Sequence, residues 1–300
     1  MEVWGGSARF SGRLSMPGNE VHLASEPHRG ADEGGDVYYL SNCAAGLITR
    51  GILADISGHG ASAAPLARAL RDLMRRHINT ADQSRLAADL NRAFSRDVPD
   101  GRFATAVLAT YFAPTDHLIV CNAGHPHPLL RRSDGAWLAL SAGTPGVVSA
   151  AGSAGAVGIA NLPLGVLDPI GYEQFAVRLE PGDRVLLYSD ALIEAPGPDG
   201  RQVGEAGLLE IARGLSEAEL DDPAGALVRR VEALTGRALD DDATVIALRH
   251  TAENPPRVSW RARAAALAGM LGLGVTHAGP GVPRAGAMGN GAAGRGISGA

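Results

Sequence analysis

No lysine occurs among the 300 residues, and all 27 basic side chains are arginine. That absence excludes chemistry built on a lysine amine: a phosphate-loop Lys, the kinase strand Lys, and a Schiff-base Lys holding pyridoxal phosphate. Cysteine is nearly absent too. Cys43 and Cys121 make neither a disulfide framework nor a zinc set, and both lie in apolar, strand-like surroundings, so they are expected to be buried thiols. Aromatic residues are few (three Trp, five Tyr, five Phe) against 40 Gly, so part of the chain is expected to lie outside a packed core. The longest apolar run, residues 264–275, is 12 residues long, and crossing a bilayer takes about 20. The N-terminus lacks a basic stretch followed by an apolar one, so it does not read as a secretory signal. No membrane span and a cytoplasmic location are expected.

The charge is uneven. Residues 1–250 carry 22 Arg against 31 Asp and Glu, whereas residues 251–300 carry five Arg against one Glu. An acidic body argues against a nucleic-acid partner and suits divalent cations. Three divisions are expected: an N-terminal extension over 1–19, a domain over 20–250, and a basic Gly/Ala/Arg-rich tail over 251–300, largely disordered because 278–300 has almost nothing to anchor a core.

Within the domain, residues 21–25, 37–40 and 47–56 are short β-branched or aromatic stretches bounded by Gly and Asn, as strands and turns should be. Leu66, Leu70, Leu73, Met74 and His77, then Leu86, Leu90, Ala93 and Phe94, recur at helical spacing and predict two consecutive helices. A meander follows through 103–112, 118–121, 129–131 and 137–140; the uncharged segment 141–160 is expected as a loop or flap. A hairpin over 175–188 ends at Ser189-Asp190. A helix begins at Pro223, capped by Asp221 or Asp222 and stopped by Gly236, and a last strand covers 243–248. Antiparallel strands with grouped rather than alternating helices predict an α+β sandwich, not a doubly wound sheet.

Four acids hold similar places: Asp36 just before one strand, Asp55 at the end of another, Asp190 at the end of a hairpin strand, and Asp241 just before the last strand. Such ends can converge on one rim, and the glycines around them (Gly34, Gly35, Gly58, Gly60) let backbone approach a ligand. Carboxylates without His or Cys partners favour Mg²⁺ or Mn²⁺ over Zn²⁺. Each acid alone is equally a turn former or cap, and Asp55 is placed to cap a helix starting near Ala61.

Taken in order, Gly34-Gly35-Asp36, Ala54-Asp55-Ile56-Ser57-Gly58-His59-Gly60, Asn122-Ala123-Gly124-His125-Pro126, Leu162-Pro163-Leu164-Gly165, Leu187-Tyr188-Ser189-Asp190 and Asp241-Asp242-Ala243-Thr244 resemble the motifs of the PPM family of metal-dependent serine/threonine protein phosphatases. They look most like its bacterial RsbU-type, stage II sporulation phosphatase-like branch. The resemblance covers about residues 20–250. It implies an αββα four-layer sandwich with two Mn²⁺ or Mg²⁺ ions at one end of the sheets. By motif, Asp55 would bridge both ions, the Ile56 carbonyl would bind one, Asp190 and Asp241 would hold the other, and Asp36 would hold water bound to them. It also implies a phosphorylated regulatory protein as substrate, a STAS domain of the anti-anti-sigma kind in a partner-switching pathway, with an upstream sensor acting in trans. A PPM-like binding module without strong catalysis, and a small phosphoester hydrolase, are the alternatives.

A cysteine phosphatase is disfavoured, since six residues rather than five separate Cys43 from Arg50. His59 is a candidate general acid or a conformational residue, and the His125/His127 pair a candidate for metal. One departure from the family stands beside a proposed ligand: Ala191 follows Asp190 where Gly is usual.

Overall fold

The structure, a computed structural model, describes residues 2–58, 63–98, 101–149, 159–251, 253 and 259–273. In chain order the strands are β1 (Glu2–Ala8), β2 (Phe10–Met16), β3 (Asn19–Glu26), β4 (Glu33–Cys43) and β5 (Ile48–Ile56). Helices α1 (Ala64–His77) and α2 (Gln83–Asp97) come next. There follow β6 (Ala104–Phe112), β7 (His117–Ala123), β8 (Leu129–Arg131), β9 (Trp137–Ala139), β10 (Val147–Ser149), β11 (Gln174–Arg178) and β12 (Arg184–Tyr188). The chain continues through α3 (Ala191–Glu194), α4 (Gly204–Arg213), α5 (Pro223–Thr235), β13 (Ala243–His250) and α6 (Trp260–Met270).

The strands form two sheets, ordered β1-β4-β5-β6-β7-β11-β10 and β2-β3-β13-β12-β8-β9, and the strand pairs in both are antiparallel. Successive side chains on a strand point to opposite faces, and here both faces are covered, which is why the strands read as nearly continuous apolar runs. Leu53 points between the sheets with Leu40, Val107, Leu187 and Ile246. Its neighbour Ile52 points the other way, against Leu70, Leu73, Leu90 and Phe94 of α1 and α2. Leu187 likewise faces the inter-sheet core while Leu186 packs on Leu208, Leu227 and Val231 of α4 and α5. Helices, sheet, sheet, helices: the αββα arrangement is present.

Local chemistry sets the helix ends. Asp82 Oδ1 accepts from Ser84 N (2.9 Å) and Arg85 N (3.2 Å) to cap α2. Asp222 Oδ1 accepts from Gly225 N (3.2 Å) ahead of Pro223 at the start of α5, which stops at Gly236 with φ 69°.

Three expectations need correction. Residues 1–19 are not an extension. β1 pairs with β4 in one sheet and β2 pairs with β3 in the other, so this segment contributes an edge strand to each. The tail is not wholly without structure: α6 docks on the outer face of the first sheet, where Met270 is buried with Phe112, Ile119 and Ala176. Residues 274–300 lie outside the described residues. Within 141–160, Val147–Ser149 pairs with β11 as an edge strand, and 150–158 lie outside the described residues.

Candidate functional site

Asp36 lies inside β4, not before it, and pairs in register with Asp55 of β5. Cross-strand partners share a face, and this face points between the sheets. Asp190 follows β12 and Asp241 precedes β13, neighbouring strands of the second sheet. The four acids therefore meet at one end of the sandwich. The field each one feels shows the same convergence. Burial and then the charges of Asp190, Asp241, Asp242 and Glu194 push Asp55 up to about 8. Burial, then Glu194 and Asp241, push Asp190 up to about 6. Asp36 is raised by burial first and by Asp55 second.

Neither Asp55 nor Asp190 is spent on capping. The residue before α1 is Ala63, with no side-chain cap, so the helix-cap role for Asp55 is not what the fold uses. Asp190 precedes α3, but its carbonyl rather than its carboxylate accepts from Ile193 N (2.9 Å) and Glu194 N (2.8 Å). Ala191 sits at the first position of α3 and is not among the residues with positive φ, so the methyl group in place of the usual Gly fits the backbone there.

Asp36 is 2% exposed, and both of its carboxylate oxygens are buried with no hydrogen-bond partner. The Ser189 and Thr244 hydroxyls act on it, lowering its pKa somewhat. The Ser189 hydroxyl nonetheless donates to the Asp242 carbonyl at 3.3 Å, and that of Thr244 pairs with Ser25 at 3.0 Å. Two orphaned buried oxygens beside three further acids are a donor set for a hard divalent cation and the water it carries. Among the described residues, no three acidic, His or Cys side chains are already drawn into one ligand set. What exists is a rim of mutually repelling carboxylates.

Asp242, which is not one of the four acids marked by their strand ends, organises this rim. It is 4% exposed, and its carboxylate accepts from His28 N (2.7 Å) through Oδ1 and from Gly35 N (2.6 Å) through Oδ2. It thereby ties the second sheet to the Gly34-Gly35-Asp36 backbone of the first. The signal was present in Asp241-Asp242, where one acid faces solvent and the next must face inward. Gly35 is needed too, because a Cβ there would stand 3.3 Å from the carbonyl oxygens of both Ile56 and Gly58.

His125 and His127 do not converge. His125 is buried, its ring held by Thr105 Oγ1 (2.8 Å) and its amide donating to Asn122 Oδ1 (2.8 Å), and burial pushes its pKa down to about 3. His127 instead pairs with Glu205 (3.1 Å). His125 therefore builds a turn, helped by Gly124 at φ 69°, where a Cβ would strike Pro163. His59 and Gly60 lie outside the described residues. Cys121 is sealed in the core and its thiol is pushed up by burial. Cys43 lies at the opposite end of β4 from Asp36.

The profile of the Stage II sporulation protein E (SpoIIE) family matches residues 49–251. The chain belongs to this family. Among solved structures it is similar to the RsbU and RsbW domains of Rv1364c from Mycobacterium tuberculosis, at 25% identity and TM-score 0.66, over 83% of this chain and 64% of that one. It has the fold of the PP2C phosphatase domain and regulatory fragment of SpoIIE from Bacillus subtilis (18%, 0.64, 81% and 65%) and of the SiaA-PP2C domain of Pseudomonas aeruginosa (19%, 0.61, 76% and 85%). The chain spans less than two thirds of the first two of these solved chains. It carries a PPM-type phosphatase domain of the RsbU/SpoIIE kind. Among the described residues, no helix is long and apolar enough to cross a membrane.

Proposed function

We propose that this chain is a divalent-metal-dependent phosphoserine/phosphothreonine protein phosphatase. The observation that carries the proposal is the convergence of Asp36, Asp55, Asp190 and Asp241 from two sheets onto one rim, in a field that holds Asp55 at about 8 without a cation. Asp55, the Ile56 carbonyl, Asp190 and Asp241 would hold two Mn²⁺ or Mg²⁺ ions, a donor set of oxygens alone. When bound, such ions lower the pKa of water and shield the phosphate's charge. The chain's own part is positional. The unpaired oxygens of Asp36 would accept hydrogen bonds from water and aim it, while Asp242 fixes the Gly35 amide and with it the place of Asp36. No protein nucleophile is needed, in keeping with a core-bound Cys121 and a Cys43 remote from the rim. RsbX, which shares the fold (TM-score 0.57, 16% identity, 81% of this chain), was solved in complex with magnesium.

For the substrate, we infer a phosphorylated STAS-domain regulator of the anti-anti-sigma kind in a partner-switching pathway, with a sensor acting in trans in the cytoplasm. The support is the likeness to a protein that joins RsbU and RsbW domains. The test is release of phosphate from a panel of phosphopeptides and phosphorylated STAS domains with Mn²⁺, repeated in chelator, after thiol alkylation, and with Asp55→Ala. Turnover is expected only with metal, to survive alkylation, and to fall by at least about 100-fold in Asp55→Ala, given that several kcal/mol of charge stabilisation is at stake. Activity that persists in chelator, or near-normal turnover by Asp55→Ala, refutes the metal reading. Activity confined to small phosphoesters refutes the protein substrate.

A further inference from the structure

At the end of the first sheet remote from the acids, Arg50 of β5 is 4% exposed. Its Nε and Nη1 are buried without a hydrogen-bond partner. It pairs in register with Ser41 of β4 on one side and Thr110 of β6 on the other. All three therefore share a face, the one on which Ile52 two residues along β5 packs against the helices. Ser41 and Thr110 are fully buried, and the Oγ of Ser41 and Oγ1 of Thr110 also lack partners. Four unmet polar atoms on three neighbouring strands form one cluster.

A guanidinium stays protonated in a protein, so burying it without a counter-charge is costly, and water supplies hydrogen bonds but no neutralising charge. Among the described residues, no carboxylate does this work. Burial lowers the pKa of Arg50, and among the described residues the group that acts on it against this is the Cys43 thiol, not a carboxylate. Glu2, opposite Ser41 on β1, is engaged by Arg71. Helix α6 packs on Ile48, Phe112, Ile119 and Ala176, which border the cluster, yet α6 contains Arg261 and Arg263 and no acid, and residues 274–300 contain no Asp or Glu.

We propose that Arg50, Ser41 and Thr110 form a site for a small oxyanion, inorganic phosphate or sulfate, separate from the acid rim. Neighbouring strands lie about 4.8 Å apart, so the two hydroxyls stand on strands about 9.6 Å apart, one on each side of the guanidinium, and an anion over the central strand is about one strand spacing from each. Such an anion accepts from the guanidinium and from both hydroxyls. Asp55 lies five residues along β5, about 17 Å away at roughly 3.3 Å per residue, so the site is independent of the phosphatase proposal.

The test is thermal unfolding of the full chain in chelator, with phosphate or sulfate compared against chloride at equal ionic strength. At ten times its dissociation constant, the oxyanion should raise Tm by about 3–6 °C. Arg50→Met should abolish that rise while melting no lower than wild type in chloride, and Ser41→Ala and Thr110→Val should each shrink it. The proposal is overturned if wild type melts alike in all three salts, or if Arg50→Met keeps the rise. Should Arg50→Met fail to fold, a full rise in both Ser41→Ala and Thr110→Val overturns it.

Discussion

Gly34 and Asp242 touch across the two sheets: a Cβ on Gly34 would stand 2.2 Å from Asp242 Oδ1 and 2.6 Å from Oδ2. The carboxylate cannot retreat, because His28 N and Gly35 N hold one oxygen each. Gly34→Ala should therefore cost about 2 kcal/mol, as overpacking does, and lower Tm by roughly 4–8 °C. Gly269 in α6 has open space around its missing Cβ. Gly269→Ala should leave Tm unchanged or raise it by a few degrees, because Ala is worth up to about 1 kcal/mol over Gly inside a helix. Calorimetry of both variants checks the contrast, and a wild-type Tm for Gly34→Ala would mean that Asp242 is less firmly held than its hydrogen bonds imply.

Much of this site was legible in the sequence because the acids sit where strands meet glycine-rich turns, and short β-branched, mostly apolar runs such as residues 47–56 mark strands covered on both faces. What escaped depended on contacts between distant segments. Asp242 reads as a turn residue until His28 and Gly35 are seen to converge on it. β1 and β2 were hidden by Gly5, Gly6 and Gly12, which weaken strand propensity. The alternation of Phe10, Leu14 and Met16 with exposed Ser11, Arg13 and Ser15 was nonetheless a strand signal. Helix α6 carries Gly269 near its end, with Gly272 just beyond, and has no clear apolar stripe, so only its docking on Phe112 and Ile119 reveals it.

The metal-free protein should lose stability as pH rises. Asp190 and Asp55 have folded-state values of about 6 and about 8, against 3.8 ordinarily. Between these limits the native state binds more protons than the unfolded chain, so the derivative of unfolding free energy with pH is negative. This contribution is fully present below about pH 4 and is lost as pH climbs through 6 and then 8. In chelator, Tm should fall from pH 5.5 to 8.5, and Asp55→Asn should flatten the upper part of that fall. Cations compete with these protons, so the Mn²⁺-induced rise in Tm should grow over the same range. A Tm in chelator that increases towards pH 8.5 would contradict the crowding of acids at the rim.

Helix α6 should matter for stability and not for chemistry. Met270 is 3% exposed against Phe112, Ile119 and Ala176, and α6 also covers Ile48, at the far end of β5 from Asp55, about 23 Å along the strand at roughly 3.3 Å per residue. Met270→Ala removes a buried side chain and should cost about 2 kcal/mol, seen as a Tm lower by roughly 4–8 °C. Hydrolysis of a small phosphoester, measured well below Tm, should be unchanged. A large loss of turnover would tie the tail to the acid rim.

Cation binding should relieve the repulsion among the acids, and Asp190 separates a ligand from a turn residue. A ligand at 100 times its dissociation constant stabilises the native state by about 2.7 kcal/mol, and each kcal/mol moves Tm by roughly 2–4 °C for a domain of this size. Saturating Mn²⁺ should therefore raise Tm by about 5–10 °C. Asp190→Asn should shrink that rise, since the ions lose a carboxylate. It should leave the metal-free protein no less stable at pH 8, where Asp190 is ionised and stands against Glu194 and Asp241. The turn itself does not need the carboxylate, because the backbone carbonyl of Asp190 makes the bonds to Ile193 and Glu194. If metal-free Asp190→Asn melts well below wild type and its Mn²⁺ rise is undiminished, Asp190 is a structural turn residue and the metal site must be built from the other acids.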